Sequence, residues 1–136
     1  NQLVPELVSA IRRSRAPRLY VCNLMTQPGE TDGLDVTGHL RAIEAQLASL
    51  GVEERLFDAV LAQEKLEDSP LVENYRRRGA EPVLCDVRAL RSQGYEVMLA
   101  PLQGARPTAT LRHDPRSVAL AVMRFYRKHV RHRGEG

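Results

Sequence analysis

The sequence predicts an α/β fold: a mostly parallel sheet flanked by helices. Short, near-continuous apolar runs such as Leu19-Tyr-Val-Cys22 and Val83-Leu-Cys85 have the pattern of strands buried on both faces. Between them, apolar residues recur at helical spacing, most clearly Leu40, Ile43, Leu47 and Leu50. Strands that alternate with helices are joined by crossovers, which makes the sheet parallel and covers it with helices.

Taken in order, Val4, Leu7, Val8 and Ile11 follow a helical stripe, with Pro5 tolerated in a first turn. Arg18 to Met25, bounded by Pro17 and Pro28, reads as the first strand. The helix through Leu40 and Leu50 stops at Gly51. Leu56 to Leu61 is the second strand candidate. Ser69-Pro70 supplies a cap and a first helical proline for a helix that Gly79 ends. Pro82 to Cys85 is a third strand candidate, Asp86 caps a short helix ending at Gly94, and Tyr95 to Leu99 is a fourth strand. Leu102 to Thr110, which holds Gly104 and Pro107, reads as a loop. Asp114-Pro115 then opens a long helix whose apolar face is Val118, Val122, Phe125, Tyr126 and His129.

Composition sets outer limits. In 136 residues, 43% are hydrophobic and 27% charged, which fits one globular domain or a piece of one and excludes a mainly disordered chain. No apolar run approaches the roughly 18 residues a membrane span needs. A soluble, cytoplasmic protein is the expectation. Cys22 and Cys85 have no zinc-type spacing and read as buried thiols in a reducing compartment. The net charge of +3 conceals an asymmetry: residues 1–70 hold 7 Lys/Arg and 11 Asp/Glu, residues 71–136 hold 13 and 6. Nearly all the basic excess is arginine, whose fork of donors suits phosphate and carboxylate, although an arginine-rich solvated surface has the same composition.

The loop after the first strand, Asn23-Leu-Met-Thr-Gln-Pro-Gly-Glu-Thr-Asp-Gly33, stands where open parallel sheets bind ligands. Pro28-Gly29 suits the two central positions of a type II turn, folding the loop back over the strand end. Asn23, Thr26, Gln27, Glu30, Thr31 and Asp32 are candidate ligand-binding residues, because amide side chains offer both a donor and an acceptor to the edge of an imide or base. A polar loop that only caps helices would look the same by spacing alone. Its part from Thr26 to Gly33, and not the basic tail, is expected to form the polar wall of the principal cleft.

The wording of this loop strongly resembles the signature of the YvcK-type gluconeogenesis factors, which share a fold with 2-phospho-L-lactate transferase. The resemblance continues in Asn-Tyr-Arg-Arg-Arg-Gly-Ala-Glu-Pro-Val at 74–83 and Leu-Arg-His-Asp-Pro at 111–115, and so runs the length of the chain. It implies a CofD-like, Rossmann-like protein that binds a nucleotide sugar such as UDP-N-acetylglucosamine and acts in carbon metabolism and cell-wall or cell-shape control. A phosphoryl or phospholactyl transferase is the alternative it implies. Residues 1–136 then correspond to the C-terminal part of a single CofD-like domain: the chain opens at Asn1 inside an apolar pattern, and the glycine-rich phosphate loop of such proteins has no counterpart in it. Pro115 also stands where some relatives carry a hydroxyl residue open to phosphorylation.

The resemblance adds Tyr75, as a ring against the nucleotide or sugar, and Arg112, as a bidentate partner for its phosphates. Spacing alone favours Tyr75 as a ring at the edge of the core and reads Arg112 as a surface arginine paired with Asp114. His39, His113, Glu30, Asp32 and Asp114 match no metal-ligand spacing. No cofactor is firmly implied; a magnesium ion bridging phosphates is compatible and unspecified. No nucleophile has a base beside it. The basic segment Arg124–Arg133 places Phe125 and Tyr126 on a face expected to be buried, which argues against nucleic acid. A homo-oligomer is compatible with the sequence, but no residue specifies one.

Overall fold

The computed structural model describes residues 5–103 and 110–131, so Val4, Gly104, Pro107 and the last positions of the basic segment lie outside the described residues. Three parallel strands, β1 (Leu19–Val21), β2 (Ala59–Gln63) and β3 (Glu96–Ala100), form a sheet in the order β1-β2-β3. Around it pack α1 (Pro5–Arg13), α2 (Val36–Ser49), α3 (Pro70–Arg76), α4 (Val87–Ser92) and α5 (Pro115–Arg131). The expected α/β class stands.

Alternation along the strands divides the core in two. Cys22, Val60, Ala62 and Val97 pack with Val36 and Leu40 of α2 and Leu90 of α4. On the opposite face, Leu61 and Ala100 pack with Val72 of α3 and Ala121 of α5. A smaller cluster of Val8, Leu47, Val52 and Leu56 joins α1 to the far end of α2. Leu56 therefore precedes the sheet, and the second strand runs two residues further than its apolar pattern suggested.

Carboxylate and hydroxyl caps set the helix starts. Asp35 Oδ1 accepts from Gly38 N–H at 2.7 Å, Ser69 Oγ from Val72 N–H at 3.2 Å, Asp86 Oδ1 from Ala89 N–H at 3.0 Å and Asp114 Oδ2 from Ser117 N–H at 2.8 Å. The last three are the caps expected from sequence. Asp35 starts α2 at Val36, earlier than the Leu40 stripe indicated.

Two expectations are corrected. Pro82–Cys85 is not a sheet strand. Pro82 has no N–H for a ladder, and the segment makes one antiparallel bridge, Met25 to Pro82. Thr26 N–H donates to the Glu81 carbonyl at 2.7 Å and Val83 N–H to that of Leu24 at 3.0 Å, while Leu84 is 72% exposed. The segment clamps the loop after β1 and leaves the sheet with three strands. The apolar face of α5 is also narrower than expected. Ala121 and Phe125 are buried, but Val122 and Tyr126 are 36% and 52% exposed. Small Ala121 brings the helix close to the sheet, and Val122 and Tyr126, one position further round, turn outward.

One ion-pair cluster ties α5 to the sheet. Lys128 Nζ lies 2.6 Å and His129 Nε2 3.0 Å from the Glu96 carboxylate. Partial burial alone would raise the Glu96 pKa; the hydrogen bonds and charges of Lys128 and His129 outweigh it and hold the carboxyl below its usual value. A carboxyl lowered on folding stabilises above its unfolded pKa and loses that contribution as pH falls through the folded one. Glu96→Gln is therefore expected to destabilise by less than about 1 kcal/mol at neutral pH, as for exposed pairs. That difference should shrink as pH falls past the ordinary carboxylate value and vanish only below the lowered folded-state pKa, where the wild-type carboxyl is itself protonated. Thermal unfolding of both proteins across this range checks it, and a difference that persists in acid would refute it.

Candidate functional site

A cleft of about 270 Å³ opens past the carboxyl end of β1. Three segments build it: Asn23 to Gln27 from the loop after β1, Tyr75 from α3, and Leu111 to His113 just before α5. Leu24, Met25 and Leu111 are buried and give it an apolar floor.

Of the residues nominated from sequence, the cleft brings together Asn23, Thr26, Gln27, Tyr75 and Arg112. Glu30, Thr31 and Asp32 are not among its lining residues. Thr31 Oγ1 accepts from Gln27 N–H at 2.7 Å and Asp32 Oδ2 from Gly29 N–H at 2.8 Å, so both carry the turn that shapes the wall. The turn has the expected type II features. Glu30 N–H donates to the Gln27 carbonyl at 3.0 Å across Pro28-Gly29, and Gly29 has φ of +82°, a conformation that suits glycine. Only the start of the loop thus faces the cleft.

Thr26 is buried, and its Oγ1 accepts from Glu81 N–H at 2.8 Å, which couples the wall to the segment after α3. By contrast, the side-chain amides of Asn23 and Gln27 have no hydrogen-bond partner among the described residues, and both residues are exposed. Tyr75 lines the cleft and also belongs to the edge of the core. Its ring packs against the core of α3 and α5, and its hydroxyl oxygen accepts from Leu111 N–H at 3.3 Å. Arg112 is exposed and makes no ion pair among the described residues. The pairing with Asp114 does not occur, because that carboxylate caps α5. Hydrogen bonds from Ser117 hold Asp114 below the usual carboxylate range.

His113 was considered from sequence only as a metal ligand, and the structure gives it another place. Its Nε2 lies 3.0 Å from the Cys22 carbonyl oxygen, anchoring the segment before α5 to the end of β1. The signal that would have found it is its position between Arg112 and the capping Asp114. Among the described residues no group of three or more His, Cys, Asp or Glu gathers as a metal site. Neither thiol is poised as a nucleophile. Burial foremost pushes Cys22 up to about 12, and burial with the nearby Asp86 and Asp35 charges raises Cys85.

A second cavity, of about 370 Å³, shares Leu24 with the first and is lined by Lys65, Arg76, Leu84 and Cys85 among others. It is the larger of the two. Its arginine, however, is already engaged: Arg76 lies 2.9 Å from Asp68 and 3.4 Å from Glu81. Of these two, the smaller cleft is the one whose guanidinium and amides are uncommitted among the described residues.

Fold and cleft together define a Rossmann-like α/β unit with a polar, cationic cleft at the carboxyl end of its sheet. The family model of 2-phospho-L-lactate transferase CofD matches residues 1–103. The chain belongs to the CofD family. A Nostoc protein named, provisionally, as a gluconeogenesis factor is 39% identical over 126 residues, covering 93% of this chain and 27% of its own length. The gluconeogenesis factor of Halalkalibacterium halodurans is 32% identical over 123 residues, covering 90% of this chain and 36% of its own. The crystal structure of a UPF0052 family protein from Bacillus halodurans superposes with a TM-score of 0.77 at 30% identity, over 89% of this chain and 37% of that one. The chain thus spans about a quarter to two fifths of the length of these relatives. No helix among the described residues is long and apolar enough to cross a membrane.

Proposed function

We propose that the cleft binds a nucleotide sugar of the UDP-N-acetylglucosamine type, and that the protein acts through this binding as a regulator of carbon metabolism and of cell-wall or cell-shape control. The observation that supports this reading is the convergence on one cleft of the Tyr75 ring with the Asn23 and Gln27 amides and the Arg112 guanidinium, the last three without partners among the described residues. An amide pair can read an imide edge, an aromatic ring can pack on a base or sugar, and a free guanidinium can neutralise a phosphate. The choice of a uridine sugar rests on the likeness of the Asn23–Gly33 loop and of the segments around Tyr75 and Arg112 to the gluconeogenesis factors. Asn23, Thr26, Gln27, Tyr75 and Arg112 are the proposed contacts, with Glu30, Thr31 and Asp32 supporting the wall from behind. A magnesium ion accompanying the phosphates would be held by the ligand more than by the protein, since no carboxylate lines the cleft among the described residues.

Calorimetric titration with a panel of UDP-sugars, followed by chromatography of the recovered ligand, tests the reading. Saturable binding with the sugar nucleotide returned intact is the expected result. Consumption of a nucleotide-activated donor in the presence of Mg²⁺ would replace it with the transferase, and absence of binding across the panel would remove it.

A further inference from the structure

We propose that His113 is a proton-accepting contact for the anionic part of the ligand, so that binding in the cleft takes up a proton from solvent. This rests on the cleft being an anion site, as proposed above, and adds a residue and a linkage to it. A carbonyl oxygen only accepts, so the 3.0 Å contact with the Cys22 carbonyl requires that Nε2 carry hydrogen. The neutral ring then has its lone pair at Nδ1, which has no partner among the described residues. The imidazole also lines the cleft beside Arg112.

The charged and titratable groups around it favour an outside anion. From its own segment come Arg112 and Asp114, and Asp114 Oδ2 is committed to Ser117 N–H. The end of β1 offers the Cys22 carbonyl and the neutral Asn23 amide; the loop offers Thr26 and Gln27; α3 offers the Tyr75 hydroxyl, which faces Leu111 N–H. No carboxylate lines the cleft among the described residues. An imidazolium here lacks an internal counter-ion, and a bound phosphate supplies one. Where the free ring is neutral, binding then draws up to one proton per ligand, which ends on Nδ1.

The probe is UDP-N-acetylglucosamine, whose doubly esterified pyrophosphate keeps its charge across neutral pH. Calorimetry in buffers of different ionisation enthalpy should show net proton uptake and roughly tenfold tighter binding at about pH 6 than at about pH 8. His113→Gln keeps a side-chain N–H for the Cys22 carbonyl but cannot take the proton. It should unfold at the wild-type temperature and bind with a flat pH profile. Imidazole ¹⁵N spectra read the ring directly: neutral with hydrogen on Nε2 in the free protein near pH 7.5, protonated on both nitrogens in the complex. A pH profile shared by wild type and His113→Gln, or a ring still neutral in the complex, would overturn the proposal while leaving nucleotide-sugar binding intact. If the sugar nucleotide does not bind at all, the functional reading falls. Titration with sulfate, whose charge is also constant, then decides His113 alone: protonation of Nδ1 supports the anion contact and an unchanged ring refutes it.

Discussion

Leu61→Ala is expected to destabilise the chain by about 3 to 4 kcal/mol, within the range for buried leucines. Leu61 is fully buried in the central strand, with Val21 and Met98 as its register partners on either side. Its carbonyl accepts from Cys22 N–H at 2.9 Å, and its side chain packs in the cluster that holds Leu24, Val72, Ala80 and Leu102. Backbone hydrogen-bonded on both edges cannot sink into the space that alanine would leave, so the cavity term is added to the lost transfer energy. Urea unfolding should show a lower midpoint at an unchanged slope. Leu99→Ala, at a position 45% exposed on β3, should change stability by no more than about 0.5 kcal/mol. Equal losses at the two positions would refute this picture of the core.

Arg112→Ala is expected to weaken UDP-sugar binding roughly tenfold to a hundredfold, the consequence of losing about 1.5 to 3 kcal/mol of charged hydrogen bonding. Its guanidinium has no partner among the described residues to strand, so the melting temperature should hold. Tyr75 behaves differently because its ring serves two purposes. Tyr75→Ala should lower both affinity and stability, since the ring is part of the core behind α3 and its hydroxyl satisfies Leu111 N–H. Tyr75→Phe should keep the packing and lose only that one hydrogen bond. Calorimetry and thermal unfolding of the three variants separate these effects. If Arg112→Ala binds as wild type does, the guanidinium is not a ligand contact.

Elements with strong local signals were legible in the sequence. Ser69-Pro70, Asp86 and Asp114 start helices where their cap chemistry placed them, and Pro28-Gly29 turns the loop as its dihedral preferences require. The failures share a cause. Pro82–Cys85 has a strand's composition, but its fate was set by partners nearly sixty positions away at Leu24 and Thr26, and local composition carries no record of them. Tyr126 was misplaced because a stripe of alternatives one position apart is resolved only by how closely the helix approaches the sheet. In the cleft, residue type distinguished donors and acceptors but not their direction. Thr31 and Asp32 look as ligand-like as Asn23 and Gln27, yet their oxygens are turned inward to their own loop. The carbonyl partner of His113 leaves no trace in sequence spacing, and only its place between Arg112 and Asp114 marks the residue.

The sheet order β1-β2-β3 repeats the chain order, so each strand can dock beside one already made, without waiting for a later piece to be threaded between. A chain emerging from a ribosome could lay down this sheet as it lengthens. The cleft follows a different schedule. Asn23 is among the first residues of the sheet end to appear, whereas Leu111 to His113 follow β3 and the His113 contact reaches back to Cys22 across 91 positions. Closing so long a loop is among the slower, entropically costly steps of folding. Within these residues the three strands thus stand before the cleft closes, and a ligand can bridge Asn23 and Arg112 only after the segment before α5 has docked.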